Sequence, residues 1–105
     1  MQPLSTITSA TVDVIEALMA DLNPRWGLEI IKATGRAPGT VYPILDRLER
    51  SGWVVSTWES DSARKGPRRR LYRLTGDVLP AARRVLAKRA PAHQPIGQPL
   101  PQPGV

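Results

Sequence analysis

The sequence predicts a mainly α chain with one small β-hairpin, an α+β arrangement. Three observations carry this. First, Val41, Ile44, Leu45 and Leu48 recur at i, i+3, i+4 and i+7, one apolar face at helical period. Second, two further amphipathic stretches precede that face, and the last of them is joined to it by a short Gly-containing turn. Third, the segment after Gly52 turns β-branched and aromatic, then basic and breaker-rich, then alternating.

The central helix is expected over Gly39–Gly52. Its polar face carries Thr40, Tyr42, Pro43, Asp46, Arg47, Glu49 and Arg50. Pro43 has no backbone donor, so it is expected in the first turn, with the helix starting near Pro38 or Gly39. Gly52 is the expected stop. Before it, Val12, Ile15, Leu18, Met19 and Leu22 mark a helix over Ser9–Leu22, capped by Ser9 or Thr11. Asn23-Pro24 breaks that pattern. A second short helix is expected over Trp26–Thr34, ended by Gly35. Two helices joined across Gly35-Arg36-Ala37-Pro38 outline a helix-turn-helix, whose second helix can enter the major groove. Helical bundles share this outline.

Trp53–Glu59 reads as a strand and Arg69–Leu74 as its return, around the polar loop Ser60–Pro67. A helix-turn-helix followed by such a hairpin is the winged-helix arrangement. From Asp77 to Arg89 the pattern is helical again, with Val78, Leu79, Ala82, Val85 and Leu86 in one stripe and Asp77 as N-cap. This stripe needs a surface. The first helix, through Val12, Ile15 and Met19, or the same helix of a second subunit would serve, and a homodimer is the economical reading. The domain plan is therefore a flexible N-terminus (1–8), a winged helix-turn-helix (9–76), a dimerisation helix (77–89) and a disordered Pro-rich tail (90–105). Within that tail, Pro99–Pro103 also has the form of a polyproline II ligand.

Charge placement separates function classes. The net charge is +6, yet residues 1–60 sum to −2 and residues 61–90 to +8. One third of the chain holds the basic field, as a polyanion-binding surface or a solvated charged face would. There are no cysteines and one histidine, His93. Disulfides, thiolate metal sites and His-rich metal sites are excluded, and no cofactor is expected. No Ser/His/Asp set or phosphate-cradling Gly loop is present, so an enzyme is not expected. No apolar run reaches the ~20 residues of a membrane span, and no signal peptide is visible. A soluble, cytoplasmic protein follows as the expectation.

The residues expected to meet double-stranded DNA are Gly39, Thr40, Tyr42, Pro43 and Arg47 on the central helix, and Lys65, Gly66, Arg68 and Arg69 on the hairpin. Thr40 can donate to a phosphate or base edge, and Tyr42 and Pro43 can touch a thymine methyl. Helix N-terminal amides favour phosphate. Gly66-Pro67 lets the backbone turn between cations suited to phosphates or a narrow groove. Other roles stand beside these. Tyr42 can be a half-buried prop between helix and wing, Arg47 can pair with a carboxylate, and Arg70 and Arg73 can face away from DNA. Trp53 and Trp58 read as core or hairpin cover rather than base-stacking platforms, and Trp26 reads as core or as the lining of a dimer pocket, with core favoured. A winged helix can also bind an acidic partner protein through its basic hairpin, so a protein-interaction module is the alternative. An RNA-binding surface would need several aromatics among the cations.

Three segments resemble the PadR family of bacterial transcriptional regulators: Trp26–Ile31, Pro38–Trp53 and Gly66–Thr75. Gly-Thr-Val-Tyr-Pro is the most specific part, with its spacing to Leu-Glu-x-x-Gly and to the Gly-Pro-Arg wing. The resemblance covers about residues 10–89. It implies a homodimeric winged-helix regulator that binds a palindromic operator and represses, with the C-terminal helix dimerising near the partner's first helix. It also implies that a small aromatic or lipophilic effector could release DNA. Trp26 stands where the family often has Tyr. The chain is similar to the short form, without a large C-terminal effector domain.

Overall fold

The computed structural model describes residue 4, residues 7–59, residue 66 and residues 69–93, with side chains as far as Lys88. In chain order the elements are α1 (Ser9–Ala20), β1 (Arg25–Trp26), α2 (Gly27–Thr34), α3 (Pro38–Arg50), β2 (Val54–Trp58), β3 (Arg70–Leu74) and, after a 3-10 turn at Gly76–Val78, α4 (Leu79–His93).

The apolar stripes of the helices meet in one core. Val14, Ile15 and Leu18 of α1, Ile30 of α2, and Val41, Leu45 and Leu48 of α3 are buried together with Val54, Tyr72, Leu74 and Val78. Each such aliphatic side chain contributes on the order of 1.5–3 kcal/mol on burial. Arg36 ties the α2–α3 turn to α1. Its Nε donates to Asp13 Oδ2 at 2.8 Å, and Arg25 Nη1 donates to the carbonyl of Ala17 at 2.7 Å.

Several boundaries differ from expectation. Thr8, not Ser9 or Thr11, caps α1, its Oγ1 accepting from the Thr11 amide at 3.1 Å. The helix stops at Ala20 because Asp21 is extended and its carboxylate accepts from the Asn23 amide. Leu22 therefore leaves the stripe and is exposed. Trp26 is not the first residue of α2 but the end of β1; its amide donates to Glu29 Oε1 at 2.9 Å, a first-turn carboxylate reaching back to the cap. Gly35, at φ 70°, ends α2 as expected.

Pro38 takes the first position of α3, which displaces Pro43 to the second turn rather than the first. Pro43 cannot donate to the carbonyl of Gly39, so α3 forgoes one backbone hydrogen bond there. At the other end Gly52 has φ 80°. Its amide donates to Glu49 O, and that of Trp53 to Leu48 O at 2.9 Å. This paired closure aims the chain directly into β2.

The sheet has the order β1-β3-β2, all antiparallel. The hairpin register pairs Val54 with Leu74, Ser56 with Tyr72 and Trp58 with Arg70. The third strand, β1, pairs Arg25 with Tyr72 and Trp26 with Leu71. Of the hairpin loop only Gly66 is described; it is exposed, at φ 95°. Lys65 and Arg68 lie outside the described residues.

The C-terminal helix begins at Leu79, with Asp77 inside the 3-10 turn instead of capping it, and Pro80 at its second position. It runs to His93, four residues past the expected end at Arg89 and into the segment expected as tail. Residues 94–105, including the Pro99–Pro103 stretch, lie outside the described residues, as do residues 1–3 and 5–6 of the N-terminal segment. The helix packs on α1 of its own chain.

Candidate nucleic-acid interface

The helix α3 divides its residues cleanly. Val41, Ile44, Leu45 and Leu48 are buried, while Gly39, Thr40, Tyr42, Pro43, Asp46, Arg47 and Arg50 are exposed. The five expected contacts on this helix thus lie on one solvent-facing surface. Thr40 and Arg47, seven residues apart, form one flank, and Tyr42, toward the sheet, forms the other. Among the described residues Arg47 makes no ion pair, whereas Arg50 Nη2 holds Asp46 Oδ2 at 2.9 Å. The first turn of α3 has no side-chain cap; Pro38 carries no amide proton, and the Thr40 and Val41 amides donate to the Ala37 carbonyl at 2.9 and 3.0 Å.

Tyr42 is both exposed and supported. It is 42% exposed. Its ring lies over Gly27, where an added Cβ would come within 2.8 Å of Cε1. A residue with a side chain at 27 would push the ring away, so the glycine at the start of α2 sets where Tyr42 stands. Beside it a cleft of about 330 Å³ opens between α3 and β3, lined by Tyr42, Asp46, Glu49, Arg70 and Tyr72. Burial raises the Tyr72 phenol above its ordinary value, with the Arg70 guanidinium opposing and Tyr42, Glu49 and Asp46 adding to the rise.

The wing is fastened to α3 by a polar cluster. Ser56 Oγ donates to Glu49 Oε2 at 2.6 Å and accepts from Arg70 Nη2 at 2.7 Å and Nε at 3.1 Å. Arg70 Nη2 also lies 3.5 Å from Glu49 Oε1, and its guanidinium is 5.4 Å from the Trp58 ring centre. Arg70 therefore faces the helix, and Trp58, 54% exposed, continues that surface outward along the wing.

Arg69 faces the other way. Its guanidinium sits 4.0 Å over the Trp26 ring, and Nε is 3.9 Å from Glu59 Oε2. At that distance no hydrogen bond forms, and Nε has no partner among the described residues. The side chain expected on DNA is stacked at the base of the wing, where β1 supplies an aromatic platform. Of the tryptophans, Trp53 is core, Trp26 is half-buried under Arg69, and Trp58 is open.

The residues expected at a subunit interface fall into two groups. Ile15, Val78 and Ala82 are fully buried, and Val12 nearly so, in the chain's own core; Met19, Leu79, Val85 and Leu86 are partly buried on its margin. A groove of about 370 Å³ runs beside α4, lined by Leu4, Ile7, Trp53, Ala81 and Val85 with Arg84 and Lys88. Among the described residues no acidic or histidine cluster could hold a metal, and no helix is long and apolar enough to cross a membrane.

A helix with one exposed polar face, an antiparallel hairpin fastened beside it and a third short strand define the winged helix-turn-helix class. Within that class the chain belongs to the transcriptional regulator PadR-like family, whose model matches residues 14–77, more than half of the sequence. Members are transcriptional regulators and not enzymes. The PcaV transcriptional regulator from Streptomyces coelicolor, solved with its natural ligand, is 26% identical with a TM-score of 0.74. The alignment covers 92% of this chain and 65% of PcaV, so the chain spans just under two thirds of that regulator. A PadR-like transcription factor from Bacteroides fragilis is similar in fold at 22% identity and TM-score 0.58, covering 81% of this chain and 85% of that one. BpsR of Bordetella bronchiseptica, whose DNA binding is regulated by 6-hydroxynicotinic acid, shares the fold at 20% identity and TM-score 0.68, covering 92% and 72%. No curated protein matches the sequence.

Proposed function

We propose that the chain is a sequence-specific DNA-binding regulator that acts as a homodimer on a palindromic operator and represses by occluding polymerase. The observation that carries this reading is the placement of Gly39, Thr40, Tyr42, Pro43 and Arg47 on the exposed face of α3, directly beside the wing. The N-terminal half of α3 enters the major groove. Thr40 and Arg47 meet phosphate or base edges, and Tyr42 and Pro43 pack on thymine methyl groups. Lys65, Gly66 and Arg68 bring the wing tip to the backbone or minor groove. Arg69, stacked on Trp26, supports the wing base and reaches DNA only by leaving that ring.

The dimer forms along α4 and α1. Met19, Leu79, Val85 and Leu86 supply the contact, with Val12 beside Val85 at a groove on its edge, while Ile15, Val78 and Ala82 hold it in shape from within. The two reading helices then engage half-sites about one helical turn apart. The groove beside α4 has room for a small aromatic or lipophilic effector; the ligand-bound PcaV and the 6-hydroxynicotinic acid response of BpsR support that part of the reading. A regulator of this kind works in the cytoplasm.

Selection from a pool of random duplex DNA tests the proposal. An enriched inverted repeat is the expected result. Retention without an enriched sequence would contradict it and favour an acidic protein as the partner of the basic hairpin.

A further inference from the structure

A carboxylate stands in the middle of the surface proposed to meet DNA. Asp46 lies one turn beyond Tyr42, on the exposed face of α3 and at the mouth of the cleft between α3 and β3. Its side chain is 62% exposed. It contributes nothing to the core, and its one ion pair among the described residues, with Arg50 four residues on, is an exposed i,i+4 contact of small value to stability. Placed against a polyanion, an acidic side chain is repelled unless it meets a donor. In the major groove the donors are the N4 amino group of cytosine and the N6 amino group of adenine. Adenine N6 adjoins the acceptor N7, for which a carboxylate has no proton to offer. Cytosine presents its amino group without that neighbouring acceptor.

Resting on the DNA-reading proposal above, we propose that Asp46 is a specificity-determining residue that selects cytosine in each half-site by accepting from its N4 amino group. Arg50 orients the carboxylate, with one nitrogen at 2.9 Å from Oδ2. The same carboxylate lowers affinity for DNA of arbitrary sequence, because it weakens the basic field where no cytosine answers it.

The test is the random-duplex selection carried out on the full chain and on Asp46→Asn, Asp46→Ala and Arg50→Ala. Thermal melts first establish that each variant folds. The wild-type repeat should contain a cytosine column in each arm. Asparagine can both donate and accept, so Asp46→Asn should convert that column to adenine. Asp46→Ala should leave it without preference, with discrimination at that pair reduced about tenfold. Arg50→Ala, which removes the partner but not the reader, should keep cytosine with a weaker bias. An enriched repeat that is identical for wild type and both Asp46 variants, or one lacking a cytosine column, overturns this inference and leaves the DNA-reading proposal standing. Failure of the wild type itself to enrich any sequence overturns both.

Discussion

Tyr42 rests on Gly27. A Cβ built at residue 27 would fall 2.8 Å from the ring carbon Cε1 and 3.0 Å from the phenol oxygen, closer than side chains pack. The first residue of α2 thereby sets the position of an aromatic side chain on the exposed face of α3. Gly27 does not have a positive φ, so alanine fits its backbone. Gly27→Ala should still fold, because the atoms it meets belong to the far end of an exposed ring that can swing outward. Its affinity for the selected operator should fall about tenfold. Equal affinity would show that the placement of Tyr42 does not matter to DNA.

The two groups of α4 residues should separate folding from the proposed assembly. Ala82 is fully buried, so Ala82→Asp places an unpaired carboxylate in the core and should prevent folding. Leu86 is only partly buried. Leu86→Asp should keep the helical circular dichroism and sediment as a monomer. A Leu86→Asp protein that remains dimeric would place the interface elsewhere.

Arg47 should be read through salt. It is exposed and, among the described residues, without an ion pair, so its charge is available to phosphate. Arg47→Ala should reduce the slope of log affinity against log salt by about 1 while stability is unchanged. An unaltered slope would remove Arg47 from the phosphate contacts.

Tyr72 predicts an alkaline limit. The folded chain holds its phenolic proton more tightly than the unfolded chain, chiefly through burial. Below the unfolded value of 10.0 both states are protonated and stability is flat with respect to this group. As pH rises above that value the unfolded state loses its proton first, so stability falls through the folded value. Urea melts between pH 8 and about pH 11 should show a decline that Tyr72→Phe reduces; an identical decline in the variant would assign it to other groups.

The parts of this fold that were legible in the sequence are those whose signal is local and periodic. The stripe Val41–Ile44–Leu45–Leu48, the stops at Gly35 and Gly52, and the alternation of the hairpin strands all lie within a few residues of the structure they specify. What escaped notice depends on a distant partner. The strand β1 is two residues long, too short for a period, and exists because β3 pairs with it. Arg69 looked like one more wing cation, but β3 register and the Trp26 platform turn it away from its neighbour Arg70. The Ser56–Glu49–Arg70 cluster joins residues up to twenty-one positions apart, and no spacing rule announces it. Gly27 read as a helix residue with no side chain; its use becomes visible only when Tyr42 is laid over it. Pro43 lies one turn later than its missing donor predicts, because Pro38 takes the first position of α3.

The most direct measurement is the ratio of affinities for the selected inverted repeat and for a scrambled duplex of equal length, at one salt concentration. A winged helix that reads bases through α3 should prefer the repeat by about a thousandfold or more, with two chains bound per duplex. Equal affinity for both duplexes would reduce the surface to a phosphate-binding patch and contradict the account.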